Sequence, residues 1–193
     1  MSAARWWRAA ADDLRVVLER DPSIGSPSEA LLHPALPAIW AYRVAHRLYR
    51  RGLRRTARVL SNFARVLSGG IEIHPGARIG RGFFIDHGAG VVIGETAVIG
   101  DDVTLFQQVT LGSTGWWHAG EARRHPAIGD RVVLGANSTV LGPITVGHDS
   151  VIGAQALVIR DVPARSRVLG PVAALGSRDI RHPEAIVRIF PTW

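Results

Sequence analysis

From Ile71 to Val168 the chain repeats itself every six residues. Branched or small apolar side chains recur at Ile73, Ile79, Ile85, Val91, Ala97, Val103 and Val109, and a second series runs out of phase through Ile93, Ile99, Leu105 and Leu111. After an interruption the pattern resumes as Ile128, Leu134, Val140, Val146, Ile152 and Val158, and as Val132, Ser138, Ile144, Ser150, Ala156, Val162 and Val168. Glycine often follows, at Gly94, Gly100, Gly112, Gly129, Gly135, Gly147 and Gly153. A period of six matches neither the helix nor the plain strand. It fits a parallel β-helix with three flat faces, each hexad being a short strand and a corner. Roughly fourteen hexads stack into four to five coils on this reading. The glycines exclude an amphipathic helix, and a sandwich needs turn signals at about 8–12 residue spacing.

Composition narrows the function classes. A chain of 193 residues suffices for one domain with a sizeable core. No run of about 18 apolar residues occurs, so no membrane span is expected. The N-terminal stretch carries Asp12 and Asp13 and lacks a small-residue cleavage site after an apolar core, which argues against a secretory signal. The chain has no cysteine, so disulfides, a thiolate nucleophile and a zinc–thiolate site are excluded, and a cytoplasmic location is expected. The net charge is +7 and every basic residue is arginine. Many cluster between Arg43 and Arg65. Without interleaved stacking aromatics or a nucleic-acid motif, they read as a solvated helix face rather than a polyanion surface.

Residues 1–70 read as helices: one over 3–20, one opened by the capping box Ser26-Pro27-Ser28-Glu29, one over about 37–51 and one over about 53–67 that stops at Gly69-Gly70. The β-helix occupies 71–170, interrupted by an excursion loop at 112–126. Residues 171–193 read as a C-terminal cap and tail. The helices and the tail are natural covers for the open ends of the coil.

The residues fit for chemistry are Asp86-His87 at one corner and Arg124-His125 at the end of the loop. His87 departs from the aliphatic series, so it should face a surface groove, and histidine is the natural general base near neutral pH. Glu72, in the preceding coil, offers a carboxylate to orient it. His33, His46, His118, His148 and His182 read as structural or surface residues.

These motifs together resemble the serine O-acetyltransferases. The resemblance rests on Arg20-Asp21-Pro22, on residues 71–107, on 109–115 and on Arg124-His125-Pro126. It implies a left-handed coil, an exception to the usual right-handed crossover. It implies that His87 takes the proton of the acceptor hydroxyl, with Glu72 as its acidic partner. Asp21 and Asp86 would hold the acceptor, an amino acid, by its ammonium, while Arg124 and His125 bind its carboxylate and line the catalytic site. A zwitterion needs acids at one end and cations at the other. The resemblance further implies acetyl-CoA as donor, in contact with Gly112, Ser113, Ala136 and Ala154. It implies a homotrimer with site residues from neighbouring chains, L-serine as acceptor and a product that feeds cysteine synthesis. A three-histidine zinc site would have to use His87, His118 and His125, whose spacing does not match the carbonic-anhydrase type of β-helix, so no metal is expected. A different amino-acid-like acceptor stays open as the alternative.

Several features depart from the family pattern. The loop reads Gly112-Ser113-Thr114-Gly115-Trp116-Trp117, with a side chain at Ser113 where the family has glycine, and it is longer. Pro37 stands where many relatives have histidine. The short stretch before Asp21 leads us to expect a trimer rather than a pair of trimers. Relatives form a cysteine synthase complex through a C-terminal isoleucine, and the terminal Trp193 argues against that complex on the resemblance.

Overall fold

A computed structural model describes residues 3–115 and 123–171. Four helices come first: α1 (Ala3–Arg20), α2 (Pro27–Ala30), α3 (Ala35–Arg50) and α4 (Arg54–Leu67). Ser26 caps α2 by accepting from Glu29 N at 3.3 Å, and the Glu29 carboxylate reaches back to Gly25 N at 2.8 Å. Arg43 on α3 grips the buried Asp13 of α1 through two nitrogens, which locks the two helices together. Among the described residues, no helix is long and apolar enough to cross a membrane.

The described residues after α4 form a three-sided parallel coil. The first sheet holds β1 (Glu72–Ile73), β4 (Val92–Ile93), β7 (Thr110–Gly112), β10 (Thr139–Leu141) and β13 (Leu157–Val158). The second holds β2 (Arg78–Ile79), β5 (Val98–Ile99), β8 (Ala127–Ile128) and β11 (Thr145–Val146). The third holds β3 (Phe84–Ile85), β6 (Thr104–Leu105), β9 (Val133–Leu134), β12 (Val151–Ile152) and β14 (Arg167–Val168). Each strand's second residue points inward, so Ile85, Leu105, Leu134 and Ile152 form one continuous buried column. Glycine after the strand is steric: a Cβ on Gly135 would lie 2.6 Å from Ala154 N in the next coil.

The register corrects the sequence reading at two places. Ile73 pairs with Ile93, Ile79 with Ile99 and Ile85 with Leu105, so the first residues of the long series belong to the out-of-phase one. The slip lies at the corner after β3, because β3 and β4 begin at 84 and 92, whereas β1 and β2 begin at 72 and 78. A compensating slip follows β13, where Val162 bridges to Val146 and Val168 pairs with Ile152.

The open first coil is covered by the helices. In the second coil the carbonyls of Ile93 and Ala97 accept from His74 N and Arg78 N of the coil before. Their first-coil counterparts, Ile73 and Ala77, have no preceding coil. Ser61 Oγ and Tyr42 Oη donate to them instead, each at 2.7 Å. A buried carbonyl left without a donor would be costly.

Candidate active site

The widened corner after β3 is where the helices deliver polar groups. Ile85 points into the coil, so its neighbour Phe84 faces outward. Val16 and Val17 of α1, Ala30 of α2 and Leu36 of α3 bury Phe84 in a second apolar cluster. Arg20 pins the end of α1 by donating to Thr104 Oγ1 at 3.0 Å and to Asp102 Oδ1 at 3.2 Å. This docking carries Asp21 and His33 to Asp86, and one ligand-type atom from each of the three lies within 4.8 Å of the others.

Within the cluster, Asp21 Oδ1 accepts from Ser23 N at 2.9 Å and from Ser23 Oγ at 2.6 Å. These bonds hold the Asp21 carboxyl below the usual carboxylate range. Asp21 Oδ2 stays turned toward His33 Nε2, 3.8 Å away. His87 is the exposed member, with its Nε2 3.9 Å from Asp86 Oδ1. Its backbone is left-handed at φ 59°, which turns the side chain out of the corner. Glu72 is elsewhere engaged: its carboxylate is paired with Arg65 at 3.0 Å, and no hydrogen bond joins it to His87. It does lie next to Ile71, the side chain that packs against Gly88.

Ala136 and Ala154 sit on the same edge of the prism as His87, at the corners before β10 and β13. They stack directly, with Gln155 N donating to Ala136 O at 2.8 Å. Between them and His87 on that edge, Gln107 has a side-chain oxygen that is buried and without a partner.

Arg124 and His125 occupy a different edge, between the first and second sheets, together with Gly112 and Ser113. Three backbone carbonyls, of His125, Pro143 and Ile144, accept from Arg123 and fix the returning loop. Thr96 N donates to His125 Nδ1 at 3.2 Å, so the neutral ring carries its proton on Nε2. Burial and the Arg124 charge both push His125 below the ordinary histidine range. Arg124 is held by Glu95 at 3.0 Å. A single chain thus gathers Asp21, Asp86 and His87 at one edge and Arg124 and His125 at another. Trp116 and Trp117, and the cap proposed for 171–193 beyond its first residue, lie outside the described residues.

Residues 125–160 match the family described as bacterial transferase hexapeptide (six repeats). The serine acetyltransferase of Helicobacter pylori is 51% identical over 167 residues, covering 86% of this chain and 95% of that one. That of Mycobacterium tuberculosis is 49% identical over 159 residues, covering 82% and 68%. The chain belongs to the serine acetyltransferase family. Solved serine acetyltransferases share its architecture. The Neisseria gonorrhoeae enzyme in complex with serine superposes with a TM-score of 0.80 at 39% identity, covering 90% of this chain and 70% of that one. Isoform 3 from Entamoeba histolytica, in complex with cysteine, gives 0.81 at 36% identity, covering 95% of this chain and 64% of that one. As in the serine acetyltransferases, the coil is a left-handed parallel β-helix behind an N-terminal helical part.

Three residues not singled out for chemistry in the sequence stand next to the candidate site residues: His33 beside Asp21 and Asp86, and Glu95 and Tyr49 beside Arg124. Nothing in the local sequence of His33 points to Asp86, so the sequence alone reads it as structural. Glu95 stands in the family-like motif Gly94-Glu95-Thr96, which was the available signal.

Proposed function

We propose that this chain transfers the acetyl group of acetyl-CoA to the hydroxyl of L-serine, giving O-acetyl-L-serine for cysteine biosynthesis. The observation that carries the reading is the convergence of Asp21, Asp86 and His87 at the head of the edge on which Ala136 and Ala154 stack. The paired carboxylates take the acceptor's ammonium. His87, exposed and unencumbered by a short hydrogen bond, accepts the hydroxyl proton as the oxygen attacks the thioester carbonyl. The tetrahedral oxyanion then collapses and expels the CoA thiolate, which takes up that proton. Glu72 serves as the acidic partner of His87 once it exchanges its Arg65 pair. The acetyl-CoA arm lies between two copies, along Ala136 and Ala154 of one and against the edge of the next that carries Gly112 and Ser113.

Arg124 and His125 supply the opposite end of the acceptor site, where a guanidinium and an Nε2–H suit a carboxylate. Their separate edge supports a site shared between copies, and a homotrimer supplies the second copy by setting one prism edge against the next chain's. The exposed apolar side chains of Val151, Leu157 and Ile159 on the outer faces support that assembly.

Release of free thiol from acetyl-CoA tests the reading, and the protein adds no thiol background because it has no cysteine. Serine-dependent release that falls about 10²–10⁴-fold in His87→Ala is the expected result. Release with homoserine or threonine but not serine would transfer the same chemistry to another acceptor. No release with any of them would overturn acetyl transfer.

A further inference from the structure

We propose that His33 is a positioning residue for the acceptor's ammonium, holding Asp21 and Asp86 side by side through a neutral ring that carries its proton on Nε2. The inference rests on the reading of Asp21 and Asp86 given above and adds a residue to it.

Two carboxylates brought this close repel each other, and each raises the cost of ionising the other. A neighbouring cation would relieve the repulsion but would also cancel the charge that attracts an ammonium. A neutral N–H dipole relieves it and leaves both charges available.

The surroundings of His33 select that form. Its side chain is 5% exposed, and its ring lies tilted against Phe84 with centroids 5.7 Å apart. Ala35 N–H donates to Nδ1 at 3.3 Å, so Nδ1 keeps its lone pair and the proton of the neutral ring sits on Nε2. Nε2 faces Asp21 Oδ2 at 3.8 Å, longer than a direct hydrogen bond, and the contact closes when the ammonium draws the carboxylates inward. Among the described residues, the ionisable groups acting on the ring are Asp21, Asp86 and His87. Burial outweighs the two acids and pushes His33 below the ordinary histidine range, which keeps it neutral.

The same bond pattern argues against the other use of such a cluster. Asp21, His33 and Asp86 have the chemistry of a divalent-cation site. A metal would need the Nε2 lone pair, which forces the proton onto Nδ1, where it would confront the Ala35 N–H donor.

The test combines kinetics with a tautomer measurement. His33→Leu keeps the apolar packing on Phe84 and removes the donor. His33→Gln restores an N–H near the position of Nε2. The expected result is a serine KM raised about tenfold in His33→Leu, with kcat and the acetyl-CoA KM changed less than about twofold, and recovered in His33→Gln. An unchanged serine KM in His33→Leu overturns the proposal. So does equal impairment of both variants accompanied by equal loss of melting temperature, which would make His33 a packing residue only.

Ring-nitrogen NMR of the unsubstituted protein, with His33 assigned by its loss in His33→Gln, gives a readout independent of turnover. An Nε2–H tautomer near neutral pH, with a titration that shifts in Asp21→Asn, is expected. An Nδ1–H tautomer, or loss of the Nε2 proton on adding Zn²⁺ or Mg²⁺, overturns the proposal. If the unsubstituted protein fails to use serine, the acceptor reading falls, and the NMR result alone decides the role of His33.

Discussion

The phenol of Tyr49 donates to Glu95 Oε1 at 2.6 Å, while the other oxygen of that carboxylate holds Arg124 at 3.0 Å. The chain therefore reaches from α3, across the corner after β4, to the end of the excursion loop. The Tyr49 bond is also the largest cause holding Glu95 below the ordinary carboxylate range. Removing the hydroxyl should loosen Arg124 without touching it. Tyr49→Phe is expected to cost about 1 kcal/mol in urea unfolding and to raise the serine KM several-fold, leaving the acetyl-CoA KM unchanged. An unaltered serine KM would detach this brace from the acceptor site.

Gly94 lies beneath the His125 ring. A Cβ built there would overlap ring atoms, including Nε2. Its backbone is not in the left-handed region, so the cost of a side chain is steric alone. Gly94→Ala should push His125 off Thr96, which now bonds Nδ1 through Oγ1 at 2.8 Å. The expected outcome is a loss of about 1–3 kcal/mol of stability and a far larger loss of kcat/KM for serine than for Ala substitution at a surface corner. Retained activity would mean that His125 can move without consequence for the acceptor.

The hexad pattern was legible because every coil repeats the same demand, an inward aliphatic and then a glycine under the next coil. The slip after β3 was not, since counting by six aligns Ile85 with Val91 and hides two inserted positions; the pairings of Ile73 with Ile93, Ile79 with Ile99 and Ile85 with Leu105 reveal it. The site divided in the same way. Asp86 and His87 stand out locally as polar residues breaking an apolar series. The surroundings of His33 form only after Phe84 has drawn α1, α2 and α3 onto β3, contacts between residues far apart in sequence that no local pattern encodes. Likewise Arg124 and His125 adjoin the site in sequence motif but stand on another edge of the prism, because the corner they occupy is set by the three-sided coil.

The cap on the first coil can be tested through Tyr42. Its hydroxyl is the donor to Ala77 O, and burial raises its pKa above the ordinary phenol value, so the proton stays in place across the working range. Tyr42→Phe keeps the ring among Ala38, Ile71 and Ile73 and orphans the carbonyl. A loss of about 1–3 kcal/mol is expected in urea unfolding, with kcat nearly unchanged. A neutral effect would show that water reaches Ala77 O through the helical cover.

Stability should fall on mild acidification, and His74 identifies why. Gly76 N donates to its Nδ1 at 2.9 Å and Tyr49 packs edge-on at 5.7 Å. Burial, with the Arg58 charge next, pushes its pKa down to about 4 from 6.5. The folded state therefore binds fewer protons than the unfolded state between these values, and stability rises with pH across that window. The contribution is complete above 6.5 and is lost as pH falls toward 4, whereas Glu95, depressed below 4.5, begins to cost stability only under that value. Between about pH 7 and 5 His74 should account for a loss on the order of 2 kcal/mol. His74→Asn, whose oxygen can accept from Gly76 N but does not titrate, should flatten the dependence measured by urea unfolding at the two pH values. An equal slope in the variant would assign the acid sensitivity to His33 and His125, the other histidines that burial keeps neutral.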